Sequence, residues 1–239
     1  MNVKRDYLYE LQIYKAQNPE TGEFDVVFEI EGKKLYAHKS KLCEVSTTFD
    51  AMLSERWTTQ NEPIQINSYS FDNFKQLITF IYSGDCKFTL DNIFTMVDIA
   101  EFYNVSAFKT ACQDFLLKTA RNLGDVYPLL ELTYKYSMES LKKHLLDFIS
   151  RNLLTFIKLN EFQALPRSII FDVVQSNQDT VIQEELFEAI YEWAENQAIE
   201  KQNHDANLNL NDAIKKQLTE VLPLIKFQKM KNEFLIKFV

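Results

Sequence analysis

The sequence predicts an α+β unit followed by an all-helical one, and three observations lead there. Phe24, Val26, Phe28 and Ile30 alternate with other residues, Glu31-Gly32 follows as a turn, and a second run spans Lys34 to Ala37. Alternation at period two around a Gly-containing turn marks a β-hairpin. The period then changes: Leu42, Val45, Phe49, Met52 and Leu53 fall at spacings of three, four, three and one, which is a helix face. From Asn122 onward apolar residues recur at helical spacing, with no further strand signal.

Taken in order, residues 1–23 form an N-terminal extension in which Tyr7, Leu8, Leu11 and Tyr14 make a small apolar helix face. Pro19-Glu20-Thr21-Gly22 breaks that helix before the first strand. After the hairpin and the helix ending near Ser54, Glu55 to Pro63 is polar except for Trp57, and Ile64-Gln65-Ile66 reads as a short strand. Ser70 is placed to cap a helix with Phe71, Phe74, Leu77, Ile78 and Ile81 on one face, and Gly84 sits just past its end. Thr89 or Asp91 starts the next helix, with Ile93, Phe94, Val97 and Ala100 inward, and Ser106 caps another carrying Phe108, Ala111, Cys112, Phe115 and Leu116. A three-strand sheet flanked by helices thus accounts for residues 24–121.

Residues 122–239 read as a series of short helices. Leu129, Leu130, Leu132, Tyr134 and Tyr136 mark one, with Pro128 tolerable only near its start. Leu141, Leu145, Phe148 and Ile149 mark an antiparallel partner. Leu159, Phe162 and Leu165 precede Pro166, and Ile169, Ile170, Val173 and Val174 follow it. Leu186, Phe187, Ile190, Trp193 and Ala194 form a strongly amphipathic helix whose solvated side carries Glu184, Glu185, Glu188 and Glu192. Short connections predict stacked helical hairpins. The polar, Asn-rich run from Gln197 to Asn211 is expected to be an exposed loop.

Composition narrows the function. A chain of 239 residues with 46% hydrophobic content and 19 phenylalanines can bury a core in each of two domains. A net charge of −8 argues against general nucleic-acid binding. Three scattered cysteines, Cys43, Cys86 and Cys112, fit a reduced compartment better than a disulfide framework. No apolar run of spanning length and no signal-type N-terminus occur, so the expectation is a cytoplasmic or nuclear protein that engages no membrane. His38, His144 and His204 lie far apart, and no Cys-x-x-Cys pair or phosphate-binding glycine loop occurs. Neither a metal nor a cofactor is expected. His38 and Lys39 with Asp25 could suggest acid–base work, but no nucleophile accompanies them, and an enzyme is not expected.

The string Phe24-Asp25-Val26, Gly32, Ala37-His38-Lys39 and Ser46-x-x-Phe49-x-x-Met52-Leu53, continued by Phe74, Phe80-Ile81-Tyr82 and Gly84, resembles the BTB/POZ domain. Glu184-Glu185-Leu186-Phe187 leading to Trp193, with Leu222-Pro223-Leu224-Ile225-Lys226-Phe227, resembles the BACK domain that follows BTB in many adaptor proteins. The resemblance implies a homodimerising, non-enzymatic scaffold, with a cullin-3 RING ubiquitin ligase adaptor as the leading reading and a dimerisation module that recruits no cullin as the alternative. It also implies that the leading helix (Tyr7, Leu8, Leu11) packs across a dimer seam, against a reading in which it folds onto its own core. Asp25 and Lys39 match a charged pair lining a partly buried pocket near that seam. In cullin-binding relatives a hydrophobic-x-Glu motif docks onto the cullin. Here the hydrophobic position falls on Trp57 and the acidic one on Thr59, with Glu55 or Glu62 as substitutes for the missing carboxylate. Tyr103, in Ala100-Glu101-Phe102-Tyr103, matches a helix of the cullin-facing surface, with a core tyrosine as the competing reading. Such adaptors usually add a target-reading domain such as Kelch repeats; none is visible, and the target protein is left open.

Overall fold

The computed structural model describes residues 3–54, 62–119, 122–205 and 207–238, with backbone alone for residues 3–7 and 238. Two compact units divide the chain, residues 1–119 and 120–239.

The first unit opens with helix α1 (Val3–Ala16), followed by strands β1 (Val26–Ile30) and β2 (Lys33–Ala37). These pair antiparallel in register Val26↔Ala37 to Ile30↔Lys33. Both turn residues have positive φ, Glu31 at 52° and Gly32 at 73°, the backbone of a tight primed turn that matches strand twist. Gly32 adopts it at no steric cost. Glu31 anchors it, because its Oε2 accepts from the Phe71 backbone N–H at 3.1 Å. Strand β3 (Ile64–Gln65) adds parallel to β1, giving the order β2-β1-β3. Alternation in β1 sends Val26, Phe28 and Ile30 inward. Phe28 meets Phe74 and Phe49 at ring-centroid distances of 5.0 and 5.9 Å, the centre of this core.

Where the sequence suggests one helix, there are two, α2 (Lys39–Val45) and α3 (Thr47–Met52). Ser46 breaks the run. Its backbone is extended, its Oγ accepts from the Phe49 N–H at 3.0 Å, and its hydroxyl donates to the carbonyl of Tyr103. Helix α4 (Phe71–Ser83) starts at the Ser70 cap and ends at Gly84. In α5 (Ile93–Phe102), capped by a reciprocal Thr89–Asn92 exchange, Ile93, Val97 and Ala100 are buried, but Phe94, expected inward, is exposed. Helix α6 (Ser106–Thr119) completes the unit, with Phe108, Cys112 and Leu116 buried.

The second unit is helical throughout its described residues. Its elements are α7 (Leu123–Lys135), α8 (Glu139–Arg151), α9 (Leu153–Phe156), α10 (Arg167–Ser176), α11 (Gln183–His204), α12 (Leu210–Leu218) and α13 (Asn232–Leu235), with short 3₁₀ turns between some of them. Pro128 lies well inside α7 rather than in its first turn, which Asn122 caps by accepting from the Asp125 N–H. Helices α7, α8 and α10 are joined by a polar cluster. The Tyr134 hydroxyl donates to the Asp172 carboxylate, Lys142 Nζ lies 2.5 Å from the same oxygen, and Lys142 sits 4.4 Å from the Tyr134 ring centroid. Trp193 is buried in α11 and donates from Nε1 to the Leu165 carbonyl at 2.9 Å. The predicted Gln197–Asn211 loop is largely helix: α11 runs on to His204 and α12 begins at Leu210. Ala198 is fully buried and the Gln197 amide donates to the Gln163 carbonyl, so packing overrides the polar composition.

Candidate protein-interaction surface

The leading helix is anchored at its C-terminal end and bare at its centre. Tyr14, 2% exposed, stacks on Tyr82 of α4 with centroids 4.3 Å apart and ring planes 8° from parallel. Its hydroxyl shares a hydrogen bond with Thr79 at 3.2 Å. Glu10 pairs with Lys41 at 2.6 Å. Leu11 is half-buried, whereas Leu8 and Tyr9 are 53% and 66% exposed. The Tyr7 side chain lies outside the described residues. Helix α1 therefore folds onto its own unit at one end and offers an unpartnered leucine and tyrosine further forward.

Asp25 and Lys39 meet, but not as two side chains. The Asp25 carboxylate accepts from the Lys39 backbone N–H at 2.7 Å. That amide opens α2, where a helix has unpaired N–H groups, so the carboxylate caps the helix from the strand side. His38, next to it, uses both ring nitrogens. The Gly22 carbonyl, an acceptor only, lies 2.8 Å from Nε2, so Nε2 carries the proton and Nδ1 accepts from the Tyr82 hydroxyl at 2.8 Å. Tyr82 in turn accepts from the His38 backbone N–H. Burial pushes the Tyr82 hydroxyl well above the usual phenol range, with the His38 backbone hydrogen bond opposing it. Neither histidine nor tyrosine has a group left to move a proton to a substrate.

Burial raises the thiols of Cys43, Cys86 and Cys112 above the usual thiol range. Cys86 donates to Gln76 at 3.3 Å, and burial pushes its thiol up to about 12, so it stays protonated near neutrality. Among the described residues no group of three or more histidine, cysteine or acidic side chains could hold a metal ion.

A second exposed apolar surface lies along α5. Phe94 and Phe102 are 39% and 58% exposed, and Asp98 lies between them, four residues from each. Tyr69 donates to Asp98 at 2.9 Å and meets the Phe102 ring edge-on at 6.2 Å. The Thr48 hydroxyl of α3 donates to the Phe102 carbonyl and the Asn104 amide to the Thr47 hydroxyl, fixing the C-terminus of α5 against α3. Tyr103 corrects a surface assignment: it is 2% exposed and stacks on Phe49 at 4.5 Å. The aromatic turned to solvent is its neighbour Phe102, which sequence reasoning missed. Helical spacing held the clue, since Ile93, Val97, Ala100 and Tyr103 share a face. Trp57 and Thr59, the two motif positions, lie outside the described residues.

Residues 14–120 match the BTB/POZ domain family, and residues 126–239 match the family described as BTB And C-terminal Kelch, abbreviated BACK. The chain belongs to the BTB-BACK family. Kelch-like protein 11 of Mus musculus is 23% identical over 216 residues, covering 87% of this chain and 28% of the relative. Kelch repeat and BTB domain-containing protein 3 of Homo sapiens is 24% identical over 196 residues, covering 81% of this chain and 31% of the relative. Among solved structures, the BTB domain of zebrafish PATZ1 aligns with a TM-score of 0.42 at 18% identity, covering 50% of this chain and 98% of that domain. The chain spans under a third of the length of these Kelch relatives.

Proposed function

We propose that the chain is a non-enzymatic, homodimerising scaffold that serves as a substrate-adaptor-type subunit of a cullin-3 RING ubiquitin ligase in the cytoplasm or nucleus. The observation that carries this is the exposed α5 surface of Phe94 and Phe102, braced by Tyr69 and α3, on a BTB domain followed by BACK. Large aromatics in solvent on a rigid element are the anchors that protein interfaces favour. The exposed Leu8 and Tyr9 of α1 supply the second surface, for a copy of the same chain. Dimerisation would double the sites for cullin and target and so raise avidity. The purified chain is expected to co-elute with a cullin-3 N-terminal domain; no binding at tens of micromolar would sink the ligase reading.

A second reading keeps the dimer and drops the cullin. Thr59 stands where the docking motif of the family has Glu. Without that carboxylate, a cationic or hydrogen-bonding group left unpaired in the interface costs about 2 kcal/mol or more. In that case light scattering gives a dimer, and the cullin domain elutes alone.

A further inference from the structure

Strand β2 is an edge strand, with β1 on one side and, among the described residues, no third strand on the other. An open edge displays unpaired N–H and C=O groups that can template another strand. In an antiparallel pair successive residues alternate between facing the partner strand and facing away. Tyr36 faces away, and Lys34, two residues back, does so too.

The outward backbone of Tyr36 is already occupied. Gln17, just past the end of α1, accepts from the Tyr36 N–H through Oε1 at 2.9 Å and donates from Nε2 to the Tyr36 carbonyl at 3.0 Å. A single carboxamide thus makes both bonds that a neighbouring strand would make. The same Nε2 also donates to the Tyr14 carbonyl at 2.8 Å. One donor and one acceptor facing the three backbone groups fix which end of the amide is oxygen, because the flipped amide would set its oxygen against two carbonyls. The Gln17 backbone has φ 48°, a left-handed conformation uncommon for residues other than glycine, and its N–H bonds to the Tyr14 carbonyl at 3.2 Å. The helix end is turned so that this side chain reaches the sheet. Lys34, the other outward position, is exposed and carries a charge, the usual guard on a natural sheet edge.

We infer that the Gln17 carboxamide is a lock on this edge. While α1 is docked it withholds the Tyr36 backbone pair, and releasing it opens β2 to strand addition by the same edge of a second copy of this chain. Seating of the leading helix and closure of the sheet edge are then one event, joined through Gln17 and its neighbour Tyr14.

The test uses the full chain with Gln17→Met, which keeps the length of the side chain and loses its hydrogen bonds. Two readouts are taken against the wild type: hydrogen exchange of the Tyr36 amide, and mass by light scattering over a concentration series. The expected result is Tyr36 exchange faster by about tenfold or more, with concentration-dependent species heavier than the wild-type assembly. Adding Lys34→Pro, which a non-bonded edge position tolerates and which blocks strand addition, is expected to return the mass to the wild-type value. Wild-type exchange at Tyr36 in the Met variant overturns the proposal. So does faster exchange with unchanged mass, or heavier species that persist in the double variant. Circular dichroism of each variant, including Lys34→Pro alone, separates these outcomes from loss of the fold.

Discussion

Phe102 and Tyr103 are adjacent aromatics on which the structure places opposite demands, and truncating each in turn tests both the fold and the proposed surface. Tyr103 is 2% exposed, stacks on Phe49 at 4.5 Å and meets Phe74 edge-on at 5.4 Å. Replacing a buried aromatic by alanine costs about 3–5 kcal/mol, because the cavity adds to the forfeited transfer energy. Phe102, 58% exposed, keeps less than half of its surface from water. At roughly 25 cal/mol per Å², the ~60–100 Å² that Phe102 keeps from water is worth about 1.5–2.5 kcal/mol to the fold, less than the cost at Tyr103. Binding reverses the order. If Phe102 anchors a cullin, Phe102→Ala costs about 2 kcal/mol or more of affinity, roughly a 30-fold weakening. The assays are urea denaturation followed by circular dichroism and titration of the chain against an immobilised cullin-3 N-terminal domain. Phe102→Ala is expected to unfold at a modestly lower midpoint and bind weakly, and Tyr103→Ala to unfold at a much lower midpoint. Wild-type affinity in the Phe102 variant would move the interface off α5. An unchanged midpoint in the Tyr103 variant would refute the packing argument itself.

Three further outcomes follow from the same unit. Gly22→Ala would place a Cβ about 2.1 Å from the Phe24 ring. The ring packs on His38 at 4.8 Å, so the variant is expected to lose about 1–3 kcal/mol by overpacking, read as a lower urea midpoint. Leu8→Glu puts a charge on the bare part of α1 and is expected to shift the proposed dimer toward monomer in light scattering, with the circular dichroism spectrum unchanged; an intact dimer would remove α1 from the proposed seam. The third outcome concerns alkaline pH. Burial, opposed by the Thr79 hydrogen bond, pushes the Tyr14 hydroxyl up to about 12 from 10.0. Below pH 10 both folded and unfolded chains hold that proton. Between 10 and about 12 only the folded chain does, so stability is full below this window and falls as pH rises through it, by on the order of 2 kcal/mol. Ultraviolet titration of tyrosinate should show Tyr14 ionising late, and a Tyr14→Phe variant should lose part of the alkaline slope.

What was legible in the sequence was what local chemistry decides. The hairpin, the Ser70 cap and the Gly84 terminus each depend on residues within a few positions of one another, and each stands where expected. The break at Ser46 was hidden, because the apolar spacing runs through it without a fault. What stops the helix is a hydroxyl bonded to a carbonyl 57 residues away. The polar run after Gln197 misled in the other direction. Its asparagines and histidine suggest a loop, but Ala198 is buried and α11 packs along α12. Tyr103 and Phe102 differ by one position and therefore by about 100° around a helix. The family resemblance directed attention to Tyr103, and the 3.6-residue period assigns it to the core.

The Ala37-His38-Lys39 string is held in a hydrogen-bonded joint of the first unit. A catalytic histidine needs a free lone pair or a transferable proton, and His38 has both ring nitrogens engaged, one by the Gly22 carbonyl and one by Tyr82. The imidazole joins the loop before β1, the end of β2 and α4. Tyr82 extends that joint to α1 through its stack on Tyr14. Lys39 contributes its backbone amide, and Asp25 serves as a cap. Residue types that in another setting would suggest acid–base chemistry are spent on seating the leading helix. The surface that this leaves for function is the exposed apolar one, Leu8 and Tyr9 on α1 and Phe94 and Phe102 on α5. Those four exposed side chains are what the proposed scaffold role rests on.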